Sequence, residues 1–328
     1  DCELCREGNS YTADTVEELF RQYPEDELWV VMGSDMFLTF EQWQEPERIC
    51  ALAGVCGFTR APGEAVAPLK EQAKRLQERY GAKTAVLSLP EDVNVSSTEI
   101  RELLERGDNT ALSKLLWSPV YGYILRHSLY GMQVDLKHLT DEQLRAVSYS
   151  MMLPKRIPHV QGTEEEAVKL AKLWGADVKN ARRAAILHDC TKCLPDEKQL
   201  AICKKHDIVI TEVEYRNPFL LHAKTGAWMA GERYGIQNPG IINAIRHHTT
   251  GKPDMSLLEK IIFVSDYIEP NRRMASNARL EEIRKLAFTD LDEAVRQILQ
   301  GTLDYLKASG REIDAVTEVT YAYYCKNL

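Results

Sequence analysis

The sequence predicts two units of different class: an α/β unit built on a parallel sheet over residues 1–130, and an all-helical unit over residues 131–328. Three observations predict this. Before residue 130, short β-rich apolar runs alternate with amphipathic helical stretches, the pattern of βαβ units. After Gly131 strand-like runs largely cease, and helical periods follow one another, punctuated by Pro154, Pro158, Pro195, Pro218, Pro239 and Pro253. At 328 residues the chain is also long for one domain and ordinary for two.

The elements follow in order. Runs at 27–33 (ELWVVMG), 55–60 (VCGFTR) and 85–90 (AVLSLP) read as buried strands, separated by helical periodicity near 14–22, 41–53 and 66–80. A polar stretch at 131–141, where composition and periodicity both change, is the natural boundary. Hydrophobic residues make up 44% and charged residues 27%, which excludes a disordered or collagen-like chain. A formal net charge of -8 argues against nucleic acid or an anionic membrane as partner. A small anionic ligand, held by local Lys and Arg, remains compatible with it. No apolar run approaches the ~20 residues that span a bilayer and no signal peptide opens the chain, so the expected location is cytoplasmic. The eight cysteines then read as reduced thiols. The pairs Cys2/Cys5 and Cys190/Cys193 have metal-ligand spacing, but one sits at a terminus and the other at a helix end, which disfavours a zinc site. Opening at Asp1 in what reads as mid-domain sequence, the chain is expected to be an N-terminally truncated fragment.

Six of the eight histidines fall between residues 159 and 248, several at the edges of apolar runs where an unpaired polar group is costly. In AAILHDCTK (184–192), His188 and Asp189 follow a buried run and are expected on the same helix. Adjacent helical residues point about 100° apart, so the two converge only on something between them, and a metal ion satisfies that. Asp266 ends the apolar run IIFVS, where a carboxylate is tolerable when paired or metal-bound. Each residue also has an ordinary reading. His159 alone suits a helix start, the His188/Asp189 doublet an internal hydrogen bond, and His222, His247 and His248 satisfied core or surface positions. The set, all on predicted helices, favours a shared centre.

That set resembles the HD superfamily, named for its His-Asp doublet. The likeness is greatest to its symmetrical diadenosine tetraphosphate hydrolases, through LLHAKTGA (220–227), AIRHHTTGKPDMSLLEKI (244–261) and VSDYIEPNR (264–272), and covers about residues 140–328. The resemblance implies that His159, His188, Asp189 and Asp266 are metal ligands. It further implies that His222 and His248 face the polyphosphate or help hold a second metal. His247 stands where the family varies. Lys192 and Arg272 would contact phosphate, and Ser309, Gly310, Arg311, Glu312, Ile313 and Asp314 would line the nucleoside pocket; without the resemblance, Gly310 reads as a helix C-cap. Imidazole and carboxylate ligands suit Fe, Mn or Zn better than Mg, and iron fits the family best, as one or two ions. The implied reaction is metal-dependent cleavage of diadenosine tetraphosphate to two ADP. Another nucleotide substrate, a non-catalytic nucleotide-sensing module, and adenylyl transfer with a regulatory helical half stay open as alternatives. The expected partner is a small nucleotide polyphosphate, with a homodimer left open.

In the first half, Gly33-Ser34-Asp35 follows a predicted strand, where parallel sheets place their ligands, and reads equally as a turn with Asp35 as helix cap. Ser96, Ser97, Thr98 and Arg101 sit at a helix start suited to phosphate, though Ser96 and Glu99 also have capping-box spacing. Together SYTADT (10–15), MGSDMFLTFEQW (32–43), Arg60 and VSSTEIR (95–101) resemble nicotinate mononucleotide adenylyltransferase, a Rossmann-like nucleotidyl transferase. The resemblance implies ATP-phosphate contacts from Ser96, Ser97, Thr98 and Arg101, nucleotide contacts around Gly33, Asp35 and Arg60, and Thr12 and Trp43 near nicotinate mononucleotide. The family's opening strand and His-x-Gly-His loop are not in this sequence, so the unit is expected to be an incomplete Rossmann-like domain without adenylyl transfer activity.

Overall fold

The structure is a computed structural model that describes residues 2–59, 65–88, 95–272 and 278–326. It divides into two compact units, Asp1–Ser97 and Thr98–Leu328.

The first unit carries a three-stranded parallel sheet in the order β1 (Trp29–Gly33), β2 (Gly54–Phe58), β3 (Thr84–Leu87). Val30 pairs with Val55 and Val55 with Thr84, so β2 is the central strand. Its first four residues are buried, as a continuous apolar run between two strands should be. Gly54 and Gly57 keep β2 thin: a Cβ at Gly54 would stand 2.6 Å from the Trp29 ring, and one at Gly57 2.5 Å from the Phe37 ring. Helices Thr12–Gln22, Ser34–Leu38, Pro46–Leu52 and Val66–Tyr80 supply the other walls of a core centred on Phe37, Phe40, Ile49, Val55, Leu69 and Leu76. Helix Val66–Tyr80 stops where Gly81, at φ +62°, donates its N–H back to Gln77 O. Among the described residues β1 pairs on one side alone, and its Val31 is 61% exposed, consistent with an incomplete Rossmann-like arrangement.

The second unit is helical throughout its described residues. The expected boundary at residue 130 does not coincide with the division in packing. Leu103, Leu104, Leu112, Tyr121 and Leu125, all before residue 130, join one continuous core with Leu144, Leu170, Ile186, Ile245 and Ile262. Helix Ser118–His127 packs directly on helix Asp141–Tyr149 through Gly122, whose absent side chain lets the two backbones touch. Helix Val178–Leu187 lies at the centre of this core, with Ala181, Ala184, Ala185, Ile186 and Leu187 all buried. Its short alanines admit the helices Ile157–Trp174, Pro239–His247 and Leu257–Ile268 at close range. No helix among the described residues is long and apolar enough to cross a membrane.

Candidate metal centre

Six side chains reach one buried centre, five of them from the ends of helices. His159 stands in the first turn of Ile157–Trp174, and His222 opens His222–Glu232. His188 and His248 cap the C-termini of Val178–Leu187 and Pro239–His247. Asp189 follows in the turn after Leu187, so the doublet is not on the helix itself as expected. The helix stops at Leu187, and Lys192 N–H then closes a turn on Asp189 O at 2.9 Å. Thr191 ties that turn to the next element through a 2.9 Å hydrogen bond to His222 O. Asp266 enters from inside Leu257–Ile268.

Asp189 sits between two triads, His159/His188/Asp189 and Asp189/His222/His248, each with ligand atoms within 4.8 Å of one another. Its Oδ2 lies 3.5 Å from His188 Nε2 and 3.7 Å from His159 Nε2, while Oδ1 lies 3.3 Å from His222 Nε2 and 3.7 Å from His248 Nε2. Asp266 Oδ1 adds to the first triad, 3.0 Å from His159 Nε2 and 3.8 Å from His188 Nε2.

The second nitrogen of each ring explains the first. His188, His222 and His248 donate Nδ1–H to the carbonyl three residues back, Ala185, Phe219 and Ile245, at 2.6, 2.6 and 2.7 Å. His159 Nδ1 pairs with Glu269 Oε1 at 3.1 Å. A neutral ring with its proton on Nδ1 presents a lone pair at Nε2, and such outer partners are what orient metal-ligating histidines. Those lone pairs face one another: Nε2 atoms of His159 and His188 approach to 3.3 Å, and those of His222 and His248 to 3.2 Å. A proton between them is opposed by burial, which pushes His188 down to about 3 and His222 below its ordinary value. Burial would raise Asp189, yet it is held well below the usual carboxylate range, which takes positive charge at the facing imidazoles or on a cation in place of their protons. Among the described residues, nothing donates a hydrogen bond of good geometry to buried Asp189 Oδ1. Paired imidazole lone pairs and an unsatisfied buried carboxylate oxygen fit a divalent metal ion better than any side-chain donor in reach.

Cations ring the centre. Arg156 Nε donates to Asp189 Oδ2 at 2.7 Å, joined there by its Nη2. Arg272 Nη2 reaches Asp266 Oδ1 at 3.1 Å, and its buried Nε has no hydrogen-bond partner among the described residues. Lys192 Nζ stands 3.2 Å from His222 Nδ1 and 3.3 Å from its Nε2. Burial lowers the Lys192 pKa against the pull of Asp189.

Two residues of this centre escape a sequence reading. Glu269 is 1% exposed, accepts Asn271 N–H at 2.6 Å and orients His159 from 110 residues away; the sequence signal is a carboxylate three residues after Asp266 in VSDYIEPNR. Gly162 makes room for it, since a Cβ there would meet Glu269 Oε2 at 2.7 Å. Arg156, three residues before His159, is the other. Replacing Glu269 with Gln keeps an acceptor but removes the charge that makes His159 a strong ligand. Metal affinity, read by chelator competition, should fall about tenfold with the fold intact by circular dichroism.

The low His188 value has a pH consequence. Its ordinary value is 6.5, so protons bind the unfolded ring more readily than the folded one. Stability that His188 contributes is complete above about pH 6.5 and is lost as pH falls toward about 3. Thermal melts of chelator-treated protein from pH 7 to pH 4 should show a falling midpoint, and the slope should be shallower in His188→Gln.

Other expected site residues lie elsewhere. His247, excluded from the expected site, pairs with Glu259 at 2.8 Å, outside both triads. Of the segment at 309–314, Ser309 caps Tyr305 O, Gly310 ends a helix at φ +62°, Arg311 lies over the Tyr305 ring and Glu312 pairs with Arg216. Ile313 is half-buried. Asp314 is buried, bonds Thr211 Oγ1 at 2.7 Å and lines a cavity of about 200 Å³ with Ala223, Lys224, Arg246, His247 and Thr249, neighbours of His222 and His248. In the first unit Thr12 opens its helix, Gly33 ends β1 as the cap of Ser34–Leu38, and Asp35 falls inside that helix instead of capping it. Trp43 packs on Phe40 with ring centroids 5.3 Å apart. Ser96 precedes helix Ser97–Arg106, which Ser97 and Thr98 begin on either side of the division between units, with Arg101 exposed. Arg60 lies outside the described residues.

Comparison with known proteins shows the family to which the helical half belongs. The HD domain family matches residues 156–271. A symmetrical bis(5'-nucleosyl)-tetraphosphatase of Bacillus subtilis is 38% identical over 180 residues, 55% of this chain and 95% of that protein. A Mycoplasma genitalium protein named as a probable nicotinate-nucleotide adenylyltransferase/Ap4A hydrolase is 27% identical over 289 residues, 87% of this chain and 73% of its own length. Among solved structures, a Clostridium acetobutylicum protein described as a predicted HD superfamily hydrolase involved in NAD metabolism superposes with a TM-score of 0.55 at 34% identity, covering 58% of this chain and 99% of that one. The His-Asp centre and the near-complete match to a relative thus coincide in one half of the molecule, through which the chain belongs to the family of HD-domain symmetrical bis(5'-nucleosyl)-tetraphosphatases.

Proposed function

We propose that the helical half hydrolyses diadenosine tetraphosphate to two ADP at a two-metal centre, with iron as the preferred metal. His159, His188, Asp189 and Asp266 hold one ion, and Asp189, His222 and His248 the other. The observation that carries this reading is the convergence of four Nε2 lone pairs on the two oxygens of Asp189. Bound metal supplies Lewis acidity toward phosphoryl oxygens and makes water acidic enough to attack a phosphoanhydride near neutral pH. The chain's own groups do the rest. The backbone carbonyls and Glu269 keep each ligand ring aimed, and Arg272 and Lys192 neutralise charge that accumulates on the polyphosphate. The cavity lined by Asp314 would receive a nucleoside.

Residues 1–130 are, in this reading, nucleotidyl transferase sequence joined to the hydrolase at 131–328, an arrangement supported by the Mycoplasma genitalium relative. A cytoplasmic setting fits the eight free thiols. The deciding experiment is elemental analysis and product chromatography of the purified chain with diadenosine tetraphosphate. ADP as sole nucleotide product, with metal bound, is the expected result; ATP plus AMP, or binding without turnover, would overturn it.

A further inference from the structure

Arg156 occupies a position that a residue merely bordering the centre would not need. Its Nε and Nη2 both donate to Asp189 Oδ2, the oxygen that faces His159 and His188. A metal ion held by those two imidazoles binds carboxylate oxygen at about 2.0–2.2 Å, which requires the same oxygen. Two donors from one guanidinium on that oxygen take up both of its lone pairs, so a metal ion bound there would have to displace at least one of them. The Arg156 side chain has somewhere to go. It is 33% exposed, against 1% for Asp189, and it hangs from the short turn Pro154–Arg156 at the rim, ahead of the helix that carries His159. A released guanidinium there matches phosphate oxygens in charge and fork geometry.

We propose that Arg156 couples metal loading to phosphate binding: metal displaces it from Asp189 Oδ2, and the freed guanidinium binds the anionic phosphate of the substrate. This deepens the phosphohydrolase reading and rests on it for the identity of the anion. Coupling of this kind is reciprocal, so phosphate tightens metal binding by the factor by which metal tightens phosphate. Arg156 is then a restraint on metal when phosphate is absent and an asset when it is present.

The test uses the full chain with Mn²⁺ and inorganic phosphate as probes, titrated calorimetrically, each alone and in the presence of the other. Arg156→Ala should bind Mn²⁺ several-fold more tightly without phosphate, and the loaded variant should bind phosphate about tenfold more weakly than the loaded wild type. Arg156→Lys, which keeps the charge but not the fork, should fall between the two on both measures. A role confined to holding Asp189 in shape would make Arg156→Ala weaken metal binding. That result, or an unchanged phosphate affinity in either loaded variant, would overturn the proposal. Neither readout depends on turnover, so a chain that binds both probes as described yet fails to cleave diadenosine tetraphosphate would refute the hydrolase reading alone.

Discussion

If the proposed two-metal centre is correct, replacing Asp189 with Ala should strip both metal ions from the protein together and lower hydrolysis by about three orders of magnitude or more. The reason is that each of its oxygens serves a different pair of histidines, Oδ2 facing His159 and His188 and Oδ1 facing His222 and His248. Loss of the carboxylate removes the only group common to both triads and the main negative charge in reach of four imidazoles. The rings themselves should stay in place, since three are fixed to carbonyls of their own helices and the fourth to Glu269. The variant should therefore fold, bind little metal by elemental analysis and turn over nothing. Asp189→Asn separates the two sites, because it keeps one oxygen and no charge, and should retain at most one ion per chain. Full metal content in Asp189→Ala would show that the two triads do not depend on the shared carboxylate.

Gly122→Ala should destabilise the helical unit by about 3 kcal/mol, the upper range for forcing a methyl into a packed contact. The added Cβ would lie 1.9 Å from Ala146 O and 2.2 Å from Ala146 C, both main-chain atoms that no rotamer change can move. Helices Ser118–His127 and Asp141–Tyr149 would have to separate, opening the core around Tyr121, Leu125, Leu144 and Val147. For a unit of this size that corresponds to a fall of roughly 6–12 °C in Tm. Differential scanning calorimetry checks it, with Gly107→Ala as the contrast. A Cβ at Gly107 meets nothing within 4 Å, and its φ of +66° imposes only local backbone strain.

Local pattern revealed the classes of both halves because each signal is contained in a few residues. WVVMG and VCGF are short apolar runs between helical periods, and they form β1 and β2. The His-Asp doublet and the histidines of 222 and 248 likewise stood out because imidazoles at the ends of apolar helices demand partners. What local pattern could not reveal was which core an amphipathic helix joins. The helices Ser97–Arg106, Asn109–Leu115 and Ser118–His127 have the periodicity of any surface helix, and only tertiary packing assigns Leu103, Leu112 and Tyr121 to the helical half. Glu269 and Arg156 were hidden for a related reason. Their meaning lies in partners 110 and 33 residues distant, His159 and Asp189. The end of helix Val178–Leu187 was misplaced by two residues because neither glycine nor proline marks it; the chain turns there through Thr191 and the side chains it meets.

The three histidines that lean on the carbonyl three residues behind them share a consequence for how such a centre tolerates change. Each ring takes its aim from a single turn of its own backbone, so nothing beyond that turn has to be remembered for the nitrogen to point inward. The aim of each nitrogen is thus set relative to its own helix, and whether the nitrogens meet depends only on how those helices pack together.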